Sequence, residues 1–166
     1  IGIYMSIVIH QKKNSLEWFL EQLPRKTRNL LVHNLFTTEQ DIIDSGAGIS
    51  DNYFVLCPKS NDYISGIYPG KFLMESFPER VCIGTDSLAS NNRLSILDEL
   101  YTIQNVHPEV SLKELLSFAT LNGARALGTE KWCGSFEVGK KPGVILIENA
   151  DLQNLKLKKE SRVKVL

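Results

Sequence analysis

Asp86 stands in Gly84-Thr85-Asp86-Ser87-Leu88-Ala89-Ser90-Asn91, directly after the apolar run Val81-Cys82-Ile83 and ahead of a helical pattern. A carboxylate at the C-terminal tip of a strand, before a loop and a helix, is where α/β enzymes place catalytic groups. Two further strand-like runs end in polar residues. Asn29-Leu30-Leu31-Val32 leads into His33-Asn34, and Asn52-Tyr53-Phe54-Val55-Leu56 into Cys57-Pro58-Lys59-Ser60-Asn61. In parallel βα repeats all strand C-termini share one face, so His33, Ser60, Asn61 and Asp86 can converge although far apart in sequence. A carboxylate with an imidazole suits hydrolytic metal chemistry, the first as a ligand and the second to position or deprotonate water. Singly, Asp86 also reads as a helix cap or turn residue and His33 as a satisfied polar group. Three strand tips in register are what raise the functional reading. Two protein ligands are too few for a catalytic zinc site, so these residues make an incomplete one.

The elements that must position them alternate. A buried strand is expected over Ile1 to Ile9, then a helix opening at Asn14-Ser15 with Leu16, Phe19, Leu20 and Leu23 at helical spacing and Pro24 as its stop. Asn29 to Val32 reads as a second buried strand. Thr37 or Thr38 caps a short helix through Ile42 and Ile43, ended by Gly46-Ala47-Gly48. After the strand Asn52 to Leu56, a loop is expected through Ser60-Asn61 and on past Gly66, Pro69 and Gly70, followed by a helix from about Lys71 to Phe77. Leu94, Ile96, Leu97, Leu100, Tyr101 and Ile103 set a helix over about 93–105. A second helical segment covers about 111–127, with Ser111 and Glu114 as a capping box and Gly128 as its stop. From Cys133 the chain is turn-rich, then gives two short strands, Val144 to Glu148 and Arg162 to Leu166. Strand and helix alternating up to about residue 128 call for parallel βα units.

Composition bounds the class. The 166 residues suffice for one domain with a core but are short for a complete barrel enzyme. Nineteen Lys+Arg balance nineteen Asp+Glu, so no net field favours nucleic acid or an anionic membrane as partner. No apolar run reaches the ~20 residues of a membrane span, and no signal peptide is visible. Cys57, Cys82 and Cys133 are odd in number and widely spaced, which suits reduced thiols and a cytoplasmic setting. His107, in Asn105-Val106-His107-Pro108, reads as a surface loop residue. The chain opens at Ile1 in a strand-like run, as a piece of something longer would.

Gly84-Thr85-Asp86-Ser87-x-Ala89-Ser90-Asn91 resembles the eighth-strand signature of the amidohydrolase superfamily, in its guanine-deaminase/chlorohydrolase branch. Leu31-Val32-His33-Asn34 with Thr38-Glu39, Cys57-Pro58-Lys59-Ser60-Asn61, and Ala119-Thr120-Leu121-Asn122-Gly123-Ala124-Arg125-Ala126-Leu127-Gly128 are similar to runs of the same branch, in the same order. Gly134-Ser135-Phe136-Glu137-Val138-Gly139-Lys140-Lys141-Pro142-Gly143-Val144 resembles the return to the family's small β domain, with Pro142-Gly143 where Ala-Asp is usual. The resemblance implies an α/β fold, a partial (β/α)8 TIM barrel of about strands 5 to 8 over residues 1–132. Residues 133–166 would be strands of a composite small β domain. It implies one divalent metal, zinc first and iron as the other candidate. The complete protein would be an aminohydrolase (deaminase) acting on a heterocyclic base or related amine through metal-activated water. Dechlorination and amide hydrolysis stay open.

Carried over residue by residue, Asp86 would ligate the metal and accept a proton from the attacking water. His33 would sit beside the metal and orient substrate or water. Ser60, Asn61, Ser87 and Ser90 would contact substrate or fix the loops. The family's His-x-His pair is absent from the sequence. Its fifth-strand His, followed by a Glu, should fall near the start, but no Glu lies within three residues of His10. Either His10 is a displaced remnant or, as we prefer, residues are missing between Ile7 and Asn14. Half a barrel leaves two open sheet edges and an exposed apolar helix layer, so the chain is expected to need the remainder of its polypeptide or a complementary chain. The partners expected are thus a small-molecule substrate and that missing half, with a homo-oligomer also allowed. The rival readings are a non-catalytic α/β small-molecule-binding module, and a degenerate relative that kept the fold and lost the chemistry.

Overall fold

The strands form on short runs rich in Leu, Ile and Val, and Asn14, Thr38, Ser95 and Ser111 cap four of the described helices. Residues 13–24, 27–47 and 51–166 are described by the computed structural model. The strand expected over Ile1 to Ile9, His10, the gap expected after Ile7, and Gly48 lie outside them. The chain divides into two compact units, residues 1–29 with 36–52, and residues 30–35 with 53–166.

In the first unit, α1 (Ser15–Glu21) starts at Asn14, whose Oδ1 accepts from the Glu17 amide at 2.7 Å. None of its residues is buried, and Trp18 and Phe19 stand about half exposed. Helix α2 (Glu39–Ser45) opens on Thr38, which forms a reciprocal capping box with Asp41, and closes at Gly46 in the left-handed conformation. Asn52 is fully buried here; its Nδ2 donates to the Ala47 carbonyl and its Oδ1 accepts from Asn29 Nδ2 at 2.8 Å.

The second unit carries a three-stranded sheet in the order β1 (Asn29–Val32), β2 (Asn52–Leu56), β3 (Val81–Ile83). Strands β2 and β3 run parallel, with Phe54 opposite Val81 and Leu56 opposite Ile83. The central strand β2 is buried along almost its whole length, as a parallel strand covered on both faces should be. The expectation of a buried β1 is corrected. Only Leu31 is buried, while Leu30 and Val32 are 45% and 51% exposed. At the sheet edge the period of two turns these side chains to a face that the described residues do not cover.

Between β2 and β3 the chain forms α3 (Pro58–Ser65) and α4 (Phe72–Ser76). Helix α3 corrects the loop expected at Ser60-Asn61. Pro58 is not a breaker here but the first helical residue, where its missing N–H costs nothing. Helix α5 (Ile96–Val106) begins three residues later than the periodicity suggested, because Ser95 takes the cap by accepting from the Asp98 amide. Leu94 is left outside and exposed. The single segment expected over 111–127 is two helices, α6 (Leu112–Ala119) and α7 (Leu121–Ala126), broken at Thr120 (φ −129°, ψ −81°). The Ser111–Glu114 capping box is present. Phe54, Leu56, Val81, Leu100, Ile103, Leu115 and Phe118 form the buried interior. His107 is no surface loop residue. It caps α5, its ring is largely covered, and Nε2 lies 2.8 Å from the Pro69 carbonyl oxygen.

After Gly134, strands β4 (Ile145–Glu148) and β5 (Arg162–Val165) pair antiparallel. The buried Gln104 of α5 exchanges two hydrogen bonds with the backbone of Leu157, in the connection between them. Among the described residues no helix is long and apolar enough to cross a membrane.

Candidate active site

The tip of β3 continues through Gly84 and Thr85 to Asp86, which sits at φ +57°. A non-glycine residue in the left-handed region costs on the order of 1–3 kcal/mol and persists only where its surroundings hold it. At the tip of β1, His33 (φ +69°) and Asn34 (φ +52°) adopt the same conformation. The Asn34 side chain donates back to the Leu31 carbonyl, and the His33 amide donates to the Val55 carbonyl at 2.8 Å. Two separate strand tips are thus bent out of regular geometry where the candidate residues stand.

The side chains meet. Asp86 Oδ2 lies 2.7 Å from Ser60 Oγ and 2.8 Å from Ser90 Oγ, and the two hydroxyls lie 2.9 Å apart. Two hydroxyl protons serve three short contacts, so the best-satisfied arrangement sends both to the anionic carboxylate. Asp86 Oδ1 accepts from the Ser87 amide at 2.8 Å. These donors, Ser60 first, hold the Asp86 carboxyl below the usual carboxylate range, and the nearby His33 adds to them. His33 Nε2 stands 3.8 Å from Asp86 Oδ2, too far for a hydrogen bond and close enough for an ion pair once the ring is protonated. On its other side, His33 Nδ1 lies 2.8 Å from Asn61 Oδ1. In this amide orientation Nδ1 carries a proton toward Asn61 Oδ1, which leaves Nε2 as the nitrogen that faces Asp86.

Ser60 and Asn61 are buried in the first turn of α3, and Ser90 is buried in the turn after Asp86. Asn61 Nδ2 is buried with no hydrogen-bond partner among the described residues. Ser87 differs from the others. It is exposed, and its hydroxyl accepts from the Ala89 amide, so it shapes the turn while its backbone serves Asp86. Cys57 is buried beside the site, and burial together with the Asp86 and Glu99 charges pushes its thiol up to about 11. It is a packed thiol and no nucleophile.

Sequence reasoning missed Glu99 and gave no role to Asn91 or Asn122. Glu99 is fully buried; one oxygen accepts from the Lys59 amide at 2.9 Å and the other from Asn91 Nδ2 at 2.6 Å. Burial raises its carboxyl pKa, and these two bonds pull against that rise. Asn91 Nδ2 also donates to the Thr85 carbonyl. A signal existed, since Glu99 adjoins Leu100 and lies four residues before Ile103, both of them buried. Asn122 donates to the carbonyls of Pro78 and Val81, fixing the start of β3.

A carboxylate with a neighbouring imidazole is a donor set that zinc or iron accepts. Among the described residues no group of three His, Cys, Asp or Glu side chains gathers, so Asp86 and His33 fit part of a metal site rather than a whole one.

Residues 4–164 match the model of the amidohydrolase family. The chain belongs to that family. It is 41% identical over 100 residues to a 5-methylthioadenosine/S-adenosylhomocysteine deaminase of Moorella thermoacetica, covering 55% of this chain and 23% of that protein. It is 35% identical over 131 residues to the enzyme of the same name from Saccharophagus degradans, covering 74% of this chain and 29% of that protein. Among solved structures, an adenosine deaminase from Xanthomonas campestris with bound zinc superposes with a TM-score of 0.63 at 32% identity. That match covers 75% of this chain and 30% of the other. The fold is therefore α/β and of the TIM-barrel kind. The chain spans less than a third of the length of each of these relatives.

Proposed function

We propose that the complete polypeptide is a metal-dependent aminohydrolase that releases ammonia from the ring amine of an adenosine-class nucleoside. This chain would supply the later strands of its barrel. The observation that carries the reading is the Asp86 carboxylate, held by Ser60 and Ser90 with His33 Nε2 at 3.8 Å. Asp86 would be this chain's ligand to one divalent ion, zinc before iron. When bound, that ion supplies Lewis-acid activation of water.

The serine cradle keeps Asp86 anionic at neutral pH, which suits a ligand and makes it a weak base that hands its proton on. His33, with a proton on Nδ1 against Asn61, turns Nε2 toward the same place and would orient water or the substrate amine. The unsatisfied Asn61 Nδ2 would find its acceptor in bound substrate or water. In this reading β1, β2 and β3 are the sixth to eighth barrel strands, residues 1–132 are barrel and residues 133–166 belong to a small β domain. The missing metal ligands and the cover for β1 would come from the rest of the polypeptide or a complementary chain, in a cytoplasmic protein.

The support from outside the site is that the relatives named above are deaminases of adenosine-type compounds. Ammonia release by the full-length protein, with adenosine, 5-methylthioadenosine, S-adenosylhomocysteine and guanine offered in turn, is the test. Turnover of the adenine compounds, abolished by Asp86→Asn, is expected. No ammonia from any of them overturns the reading.

A further inference from the structure

Glu99 is the only charged side chain fully buried among the described residues. A buried carboxylate costs several kcal/mol unless its oxygens are satisfied, so both of its bonds matter to the local structure. The first goes to an unusual place. Cys57, at the cap position of α3, makes no side-chain capping bond, and the orphan Lys59 amide in the first turn is taken by Glu99 Oε2 from 40 residues away. The cap of α3 is therefore supplied by α5, with a negative charge at the helix N-terminus where the dipole favours it. Ser60 and Asn61 follow Lys59 in that same turn.

The second bond reaches the other half of the site. Glu99 Oε1 accepts from Asn91 Nδ2, and the same nitrogen donates to the Thr85 carbonyl, closing the turn that carries Asp86 and Ser90. We propose that Glu99 is a positioning residue that sets α3 and the 85–92 turn in register, so that Ser60 and Ser90 both reach Asp86 Oδ2. Its catalytic consequence rests on the aminohydrolase reading, while the registration itself does not. A glutamine cannot replace it. Its oxygen keeps one bond, and its Nε2 then faces a second donor.

The test uses the full-length protein in three forms, wild type, Glu99→Gln and Leu115→Ala, the last a fully buried α6 core residue outside the site. Leu115→Ala serves as a comparison for general loss of stability, both variants being assayed at matched urea destabilisation. Two readouts are taken, hydrogen exchange of peptides spanning 57–62 and 85–92, and kcat and KM for ammonia release. Glu99→Gln should speed exchange by about tenfold in the peptide whose bond it loses, the factor that one lost bond of ordinary strength allows. It should lower kcat by about the same factor with KM little changed. Leu115→Ala should do neither. Unchanged exchange in both peptides under Glu99→Gln overturns the registration. Faster exchange with a kcat no lower than that of Leu115→Ala overturns the positioning role and leaves a structural one. If wild type releases no ammonia, the aminohydrolase reading falls and exchange alone decides whether Glu99 registers the two elements.

Discussion

Asn122 offers a sharp test of how β3 is held. It is fully buried, and its Nδ2 donates to the Pro78 carbonyl at 2.8 Å and the Val81 carbonyl at 2.7 Å. Asn122→Ala strips the donors from both carbonyls and leaves a small void. An unmade buried bond costs about 1–3 kcal/mol, and the Pro78 bond is only part-buried, so the sum is about 2–4 kcal/mol. Asn122→Asp keeps the shape but, when ionised, offers no proton and turns a negative charge on two carbonyl oxygens. At neutral pH it should cost at least as much as Asn122→Ala. Its folded pKa must then lie above the unfolded value of about 3.9. The folded state holds a proton that the unfolded state releases. Relative to wild type, this variant therefore regains stability as pH falls through the raised folded value toward the unfolded one. Urea unfolding of the full-length protein at pH 7 and at pH 5 measures both effects. An Asn122→Ala cost under about 1 kcal/mol would show that these two bonds do not hold β3. So would an Asn122→Asp cost that is smaller than that of Asn122→Ala and the same at both pH values.

Three further outcomes follow from the same geometry. Because its donors hold Asp86 below the ordinary 3.8, its stabilising contribution is complete above that value and lost as pH falls through the lower folded one. Ser60→Ala with Ser90→Ala should move this acid loss to higher pH in urea unfolding titrations, and an unmoved acid limb would contradict the cradle. A Cβ at Gly84 would stand 3.0 Å from Val55 Cγ1 and 3.3 Å from Cys57 Sγ, so Gly84→Ala should cost about 1–3 kcal/mol. Adding Val55→Ala should recover part of that, and a double-variant cycle without coupling would count against it. Burial pushes the thiols of Cys57 and Cys82 up to about 11, so iodoacetamide at pH 8 should label Cys133 first in the folded protein, as read by mass spectrometry. Equal labelling of all three would contradict the packing.

Asp86 and His33 were legible because strand tips are written in local sequence, an apolar run followed at once by a polar residue. The capping boxes were legible for the same reason, since Ser111 and Glu114 meet within one turn. What escaped depended on contacts between distant segments or on backbone conformation that no residue type announces. Pro58 looks like a loop residue in isolation and starts a helix because Glu99, on another helix, satisfies the next amide. Glu99 falls on the buried side of its helix by spacing, but its role does not show until its two donors are known. The left-handed tips at His33 and Asp86 carry no glycine to signal them. The exposure of Leu30 and Val32 could not be read either, for an apolar run says that a face wants cover and not whether the described residues provide it.

Asp86 is proposed as this chain's contribution to a metal site. Elemental analysis of the full-length protein, wild type beside Asp86→Asn, addresses it most directly. About one zinc or iron per wild-type chain is expected, and its loss in the variant. No metal in wild type after reconstitution, or full metal retained by Asp86→Asn, would contradict it.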